Sequence, residues 1–177
     1  VILLAHPNIK ESQANKALVD AVSDMEGVAV FNLYELSQEI VFNIDEWSKI
    51  ISDASAVIYQ FPFYWMSAPS LLKKWQDEVF TFLSKTPAVA GKPLTVVTTT
   101  GSEYEAYRSG GRNRFTTDEL LRPYQVSAIH SGMSWQTPIV VYGMGTADAG
   151  KNIAEGANLY KQRVEMLIGN SNAGNNW

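Results

Sequence analysis

At 177 residues the chain has room for one domain with a full hydrophobic core and not for two ordinary ones. An apolar fraction of 46% excludes wholesale disorder, and 14 basic against 18 acidic residues, with no basic run, leave no electrostatic case for nucleic acid. The absence of cysteine excludes disulfides, thiolate metal sites and cysteine nucleophiles, and no apolar run approaches the roughly 20 residues of a membrane helix.

Apolar, β-branched runs at 1–5, 28–32, 56–61, 94–100 and 137–142 predict five buried strands. The first is too short for a signal peptide and runs straight into His6-Pro7; opening in mid-strand, it reads as lacking a few preceding residues. Helical patterns at 13–25, 45–54, 69–83, 117–129 and 147–168 alternate with the strands. In the third helix Leu71, Trp75, Val79 and Phe82 recur at helical spacing, with Lys73, Lys74, Asp77 and Glu78 on the other faces and Pro69 suited to the first turn. Thr116-x-x-Glu119 fits a capping box for the fourth, which Pro123 should kink or divide. Five βα units with near-continuous apolar strands predict an α/β, doubly wound parallel sheet with helices on both faces. Residues 1–169 form the expected domain, and Asn- and Gly-rich 170–177 a frayed tail.

In such a sheet, ligands bind beyond the carboxyl ends of the strands, which singles out three loops. His6-Pro7-Asn8-Ile9-Lys10-Glu11-Ser12-Gln13-Ala14-Asn15 follows the first strand and lacks both the G-x-x-x-x-G-K-[ST] and G-x-G-x-x-G phosphate motifs. Ser12 and Asn15 stand at a helix start whose N–H groups and dipole suit a phosphate, or Ser12 merely caps the helix. Gln60-Phe61-Pro62-Phe63-Tyr64-Trp65-Met66-Ser67-Ala68-Pro69 crowds aromatics at the end of the third strand, fitting a flat ligand, core packing or a subunit interface. Thr98-Thr99-Thr100-Gly101-Ser102-Glu103 follows the fourth strand, where Gly101 permits close backbone approach; alone it is an ordinary turn.

Together these segments resemble the flavodoxin-like NAD(P)H:quinone oxidoreductases, most closely the bacterial branch that includes the ancillary oxidoreductase of glutathione-gated potassium-efflux systems. The resemblance covers essentially the whole chain. It is carried by Ala5-His6-Pro7, Ser12-x-x-Asn15, Leu33-Tyr34-Glu35-Leu36, Phe42-Asn43-Ile44-Asp45, Gln60 to Trp65, Ser67-x-Pro69, Leu71-Leu72-Lys73-x-Trp75-x-Asp77-x-Val79-Phe80, Gly91-Lys92, Thr99-Thr100-Gly101 and Gly132-Met133 before Pro138. It implies a five-stranded sheet of order 2-1-3-4-5 and a flavin, FMN rather than FAD in that branch, with NAD(P)H as co-substrate. His6, Ser12, Gln13, Ala14 and Asn15 would hold its phosphate and ribityl chain. Phe63, Tyr64, Trp65 and Met66 would lie along the ring, with Trp65 packing against it, and Thr99, Thr100, Gly101 and Ser102 would support the pyrimidine side.

The implied activity is two-electron reduction of quinones or related electrophiles by a ping-pong mechanism. It would occur in a cytoplasmic homodimer whose second subunit completes the pocket. A regulatory flavoprotein docked on a membrane potassium-efflux transporter, and a flavodoxin-type electron carrier, are the alternatives. The chain departs from the family pattern in a shorter segment, Thr81 to Pro87, and in Ser102 where many relatives have glycine. Tyr107 is the candidate catalytic proton donor or acceptor-binding group, although no histidine follows it in the loop. With only His6 and His130 in the chain, a histidine metal site is not expected. Arg108, Arg112 and Arg114 interleave with Gly110 and Gly111, as solvated loop charges or as contacts for an NADPH phosphate.

Overall fold

The computed structural model describes residues 1–35 and 41–172, so Leu36 and positions 173–177 of the expected tail lie outside the described residues. Strands β1 (Ile2–Leu4), β2 (Val30–Asn32), β3 (Val57–Pro62), β4 (Pro93–Thr99), β5 (Ser134–Trp135) and β6 (Ile139–Val141) form one parallel sheet. Its order is β2-β1-β3-β4-β5, with β6 also on β4, as expected for a doubly wound sheet. The fifth strand position is split. Between Leu94 and Val97 β4 advances three residues while the partner advances four, from Trp135 to Ile139. Pro138 lies in this break, and the exposed carbonyl of Thr137 is satisfied by Thr95 Oγ1 at 3.1 Å and Arg163 Nη1 at 2.7 Å.

The strands bury both faces, and side chains alternate accordingly. Leu3, Val57, Tyr59, Phe61, Leu94 and Val96 join one core with α2 (Ile44–Asp53) and α3, which begins at Ser70–Trp75. Ile2, Ile58, Val97, Ile139 and Val141 join the other, under α1 (Gln13–Asp20) and α6 (Ala149–Asn172). The last helix thus runs past 168 into the expected tail. The first stops at Asp20 rather than 25, where successive tight turns lead to Gly27 at φ 82°. Pro123 divides the predicted fourth helix into α4 (Thr117–Leu120) and α5 (Arg122–His130), and the Thr116–Glu119 capping box is present.

Helix α3 holds a correction. It continues as a π turn, Gln76–Phe80, and closes as Thr81–Leu83. The wider turn rotates the following residues, so Phe80 and Leu83 are buried whereas Phe82 points to solvent. Trp75 and Phe80, five positions apart, are stacked at 6.1 Å by the same widening. None of the helices described is long and apolar enough to cross a membrane.

Candidate functional site

Strand order reverses between β1 and β3, so the loops after β1, β3 and β4 meet at one end of the sheet. In the first loop His6 is buried and accepts the Asn8 N–H on Nδ1 at 3.1 Å; burial holds its pKa below the usual imidazole value. A 3-10 turn, Ile9–Glu11, delivers Ser12 to the start of α1, where its Oγ accepts the Asn15 N–H at 3.1 Å. Ser12 is therefore the helix cap. The N–H groups of Gln13 and Ala14 remain without an acceptor in the described chain. Asn15, only 2% exposed, turns inward: its Nδ2 donates to Thr99 Oγ1 at 2.9 Å, and its carbonyl accepts from Gln60 Nε2 at 2.8 Å.

The second loop is a tight reversal. Tyr64 and Ser67 exchange backbone hydrogen bonds of 2.8 and 3.0 Å, and both central residues, Trp65 (φ 47°) and Met66 (φ 63°), are left-handed. This is the geometry of a type I′ turn, whose central positions ordinarily take Asn and Gly. A left-handed L-residue costs about 1–2 kcal/mol, so the turn stores backbone strain where the ligand loops meet. It leaves the Trp65 ring 97% exposed and the N–H groups of Trp65 and Met66 without partners in the described chain. Phe63 N–H donates to Thr99 O at 2.9 Å, which fastens this loop to β4.

In the third loop the Thr100 N–H still pairs with Val141 O at 2.9 Å, but beyond it the carbonyls rather than the N–H groups are consumed. Thr100 O, Gly101 O and Ser102 O accept from the N–H groups of Met144, Gly145 and Gly143 at 2.9, 2.9 and 2.8 Å. Ser102 O also accepts Thr100 Oγ1 at 2.8 Å. The loop after β6 thus braces it from behind, a role sequence reasoning missed although Gly143-Met144-Gly145 offered a signal. Gly143 sits at φ 77°, and a side chain at Gly145 would press on Gly101 O at 3.1 Å. The N–H groups of Gly101 and Ser102 have no acceptor in the described chain. Ser102 Oγ accepts from Arg112 Nη2 at 2.7 Å.

Tyr107 is buried in the turn Tyr104–Tyr107, its ring 6.2 Å from Phe63 and 5.9 Å from Tyr142. Tyr142, whose pKa burial raises, shares a 2.6 Å hydrogen bond with Thr117 Oγ1. His130, last residue of α5, is exposed and stands apart from the three loops.

The arrangement therefore presents three pairs of unpartnered backbone donors, Gln13/Ala14, Trp65/Met66 and Gly101/Ser102, on loops stitched by Asn15–Thr99 and Phe63–Thr99. That donor set suits a ligand made of acceptors: a phosphate at the start of α1 and the carbonyl and nitrogen acceptors of a flat heteroaromatic ring at the other two loops. FMN has this chemistry, so the residues present fit the cofactor.

Comparison with known proteins agrees with this geometry. A family model described as "Flavodoxin-like fold" matches residues 1–164. The Uncharacterized NAD(P)H oxidoreductase YdeQ of Bacillus subtilis is 34% identical, over 94% of this chain and 86% of that protein. The Glutathione-regulated potassium-efflux system ancillary protein KefG of Serratia proteamaculans is 36% identical, over 80% of each. The crystal structure of general stress protein 14 from Treponema denticola in complex with FMN superposes with a TM-score of 0.85 at 29% identity, over 94% of this chain and 97% of that one. The chain belongs to the flavodoxin-like fold family, among relatives that include a named NAD(P)H oxidoreductase.

Proposed function

We propose that this protein binds FMN on the loops after β1, β3 and β4 and acts as an NAD(P)H oxidoreductase that reduces quinones or related electrophiles. The observation that carries the reading is the set of three unpartnered donor pairs at the point where strand order reverses. The FMN complex of the Treponema denticola protein and the oxidoreductase name of the Bacillus relative support it. Bound there, FMN supplies the chemistry of taking a hydride from NAD(P)H and passing two electrons to an acceptor.

The chain's own part is positioning. Gln13 and Ala14 N–H, at the positive end of α1, hold the phosphate beside the Ser12 cap. The Trp65, Met66, Gly101 and Ser102 N–H groups would meet the ring's acceptor edge, Thr99 and Thr100 would support the pyrimidine side, and the exposed Trp65 ring would pack against the ring system. Phe63 and Tyr64 would lie along the ring beside Trp65, and the buried His6 would help hold the phosphate and ribityl chain. Tyr107, next to Phe63, is the chain's candidate for touching the acceptor. The exposed Tyr64-Trp65-Met66 tip is the face a second subunit would cover. The KefG relative favours a second reading in which this flavoprotein also docks on a potassium-efflux transporter, tested by co-purification with one.

The function is tested by releasing the chromophore with denaturant and identifying it by chromatography, then varying NAD(P)H at several quinone concentrations. FMN and parallel double-reciprocal lines are expected. Intersecting lines would overturn the ping-pong order, and a colourless protein that FMN cannot reconstitute would overturn the whole reading.

A further inference from the structure

Outside the three loops, the free edge of the sheet carries a groove of about 510 Å³. One wall is the Tyr104–Tyr107 turn with the first turn of α4; the other is α6, and the strand break at Thr137 and Pro138 forms the floor. Two chemistries converge in it. Tyr104, Tyr107 and Tyr142 form an aromatic wall, with ring centroids 5.3 Å apart for Tyr104–Tyr142 and 5.9 Å for Tyr107–Tyr142. Facing it are two guanidinium groups from opposite walls. Arg108 lies over the Tyr104 ring at 5.1 Å and donates to its hydroxyl at 3.1 Å; Arg163 uses Nη1 on Thr137 O at 2.7 Å.

Neither arginine forms an ion pair among the described residues, where the pairs observed all use lysine. Each guanidinium has five N–H donors, so both keep most of theirs available. Two unpaired arginines beside an aromatic wall are the chemistry that recognises a phosphate joined to a flat base. The groove also holds one carboxylate, Asp118, against its two arginines, whereas an adjoining groove of about 380 Å³ that shares Tyr104 and Tyr142 is lined by Glu103, Glu105, Asp148 and Glu155, so a phosphate is favoured at the arginine end. Tyr107 links this edge to the flavin loops, since it lines the groove and packs on Phe63 at 6.2 Å.

We propose that this groove takes the adenosine-phosphate half of NADPH, with its phosphates on Arg108 and Arg163 and its base against the tyrosines. The proposal rests on the oxidoreductase reading above, because it assigns a place to that reaction's electron donor. It divides the nicotinamide cofactor between two sites: one end at the flavin loops, the other gripped at the sheet edge. Binding energy from the remote half then holds the reacting half in position.

The test separates the two readings. Adenosine 2′,5′-bisphosphate, which carries no nicotinamide, is titrated into the purified full chain by calorimetry. Reduction of the bound chromophore by NADPH is compared with reduction by reduced nicotinamide mononucleotide, which lacks the adenosine half. The bisphosphate is expected to bind, and Arg108→Ala and Arg163→Met each to weaken it about tenfold. Each variant should also lower kcat/KM for NADPH by a similar factor and leave the mononucleotide unchanged. Arg108 is exposed on a loop, so its variant keeps the test valid if loss of the Arg163–Thr137 bond disturbs the strand break. No binding of the bisphosphate, or equal losses with both donors, would overturn the groove assignment while leaving the oxidoreductase reading intact. Bisphosphate binding to a protein that takes no flavin would do the reverse.

Discussion

The side-chain amide of Asn15 donates to Thr99 Oγ1 at 2.9 Å, joining the first turn of α1 to the last residue of β4 across 84 positions of sequence. Both groups are buried, and Asn15 Oδ1 has no partner among the described residues, so this bond ties the loop after β1 to the loop after β4, alongside Gln60 Nε2 on Asn15 O. Thr99→Val strands a buried amide donor, and a loss of about 1–3 kcal/mol is expected in urea denaturation of the flavin-free protein, with weaker FMN binding. The double variant Asn15→Leu/Thr99→Val removes both partners and should lose less than the two single changes combined. Strict additivity would show that the bond does not couple the loops.

The left-handed turn at Trp65 and Met66 leads to a trade between stability and binding. Met66→Gly relieves a positive φ at a half-exposed side chain, so the flavin-free protein should gain about 1 kcal/mol in thermal or urea unfolding. Glycine keeps both N–H donors, but its wider backbone freedom leaves them less fixed before binding, so the dissociation constant for FMN should rise. A variant that is less stable and binds FMN normally would show that the turn carries no strain used by the site.

His6 makes stability depend on pH in a stated direction. Its folded pKa lies below the usual imidazole value because burial disfavours the charged ring, and protonation at Nδ1 also breaks the bond from Asn8 N–H. The unfolded chain therefore takes up the proton first. Stability from this group is full above the unfolded pKa and is lost as pH falls from there through the depressed folded value. Urea midpoints measured from about pH 8 down to about pH 5 should fall on the acid side, and His6→Asn should flatten that slope. An unchanged slope in the variant would assign the acid sensitivity to other groups.

The π turn in α3 reverses what helical periodicity assigns to two neighbours. Phe82 is exposed and Leu83 buried, so Phe82→Lys should change stability by no more than about 0.5 kcal/mol, whereas Leu83→Ala should cost about 2–5 kcal/mol. Denaturant midpoints of the two variants check this. The opposite ranking would restore an unbroken α-helical register.

Much of the frame was legible because it depends on near neighbours. The apolar strands, the Thr116 capping box, the division of a helix at Pro123 and the doubly wound parallel sheet follow from patterns within a few residues and from the handedness of crossovers, while the order 2-1-3-4-5 came from the family resemblance. The same local information misplaced Phe82, because a π turn is held by packing around Trp75 and Phe80 that helical spacing does not record.

The sequence by itself determined which segments are strands and helices, that the sheet is buried on both faces, and that three loops gather at its carboxyl end. Only the tertiary structure decided how those loops are used. Asn15 turns inward because Thr99 waits for it, Gly101 exposes its N–H because Gly145 holds its carbonyl, and Trp65 and Met66 take a left-handed turn between the paired Tyr64 and Ser67. The arginine–tyrosine groove likewise exists only once α6 and the Tyr104–Tyr107 turn flank the same strand edge. Helix and strand patterns repeat over a few residues and can be read along the chain. Hydrogen bonds and groove walls between residues 40 or more apart are set by which strands become neighbours, and so appear only when the sheet closes.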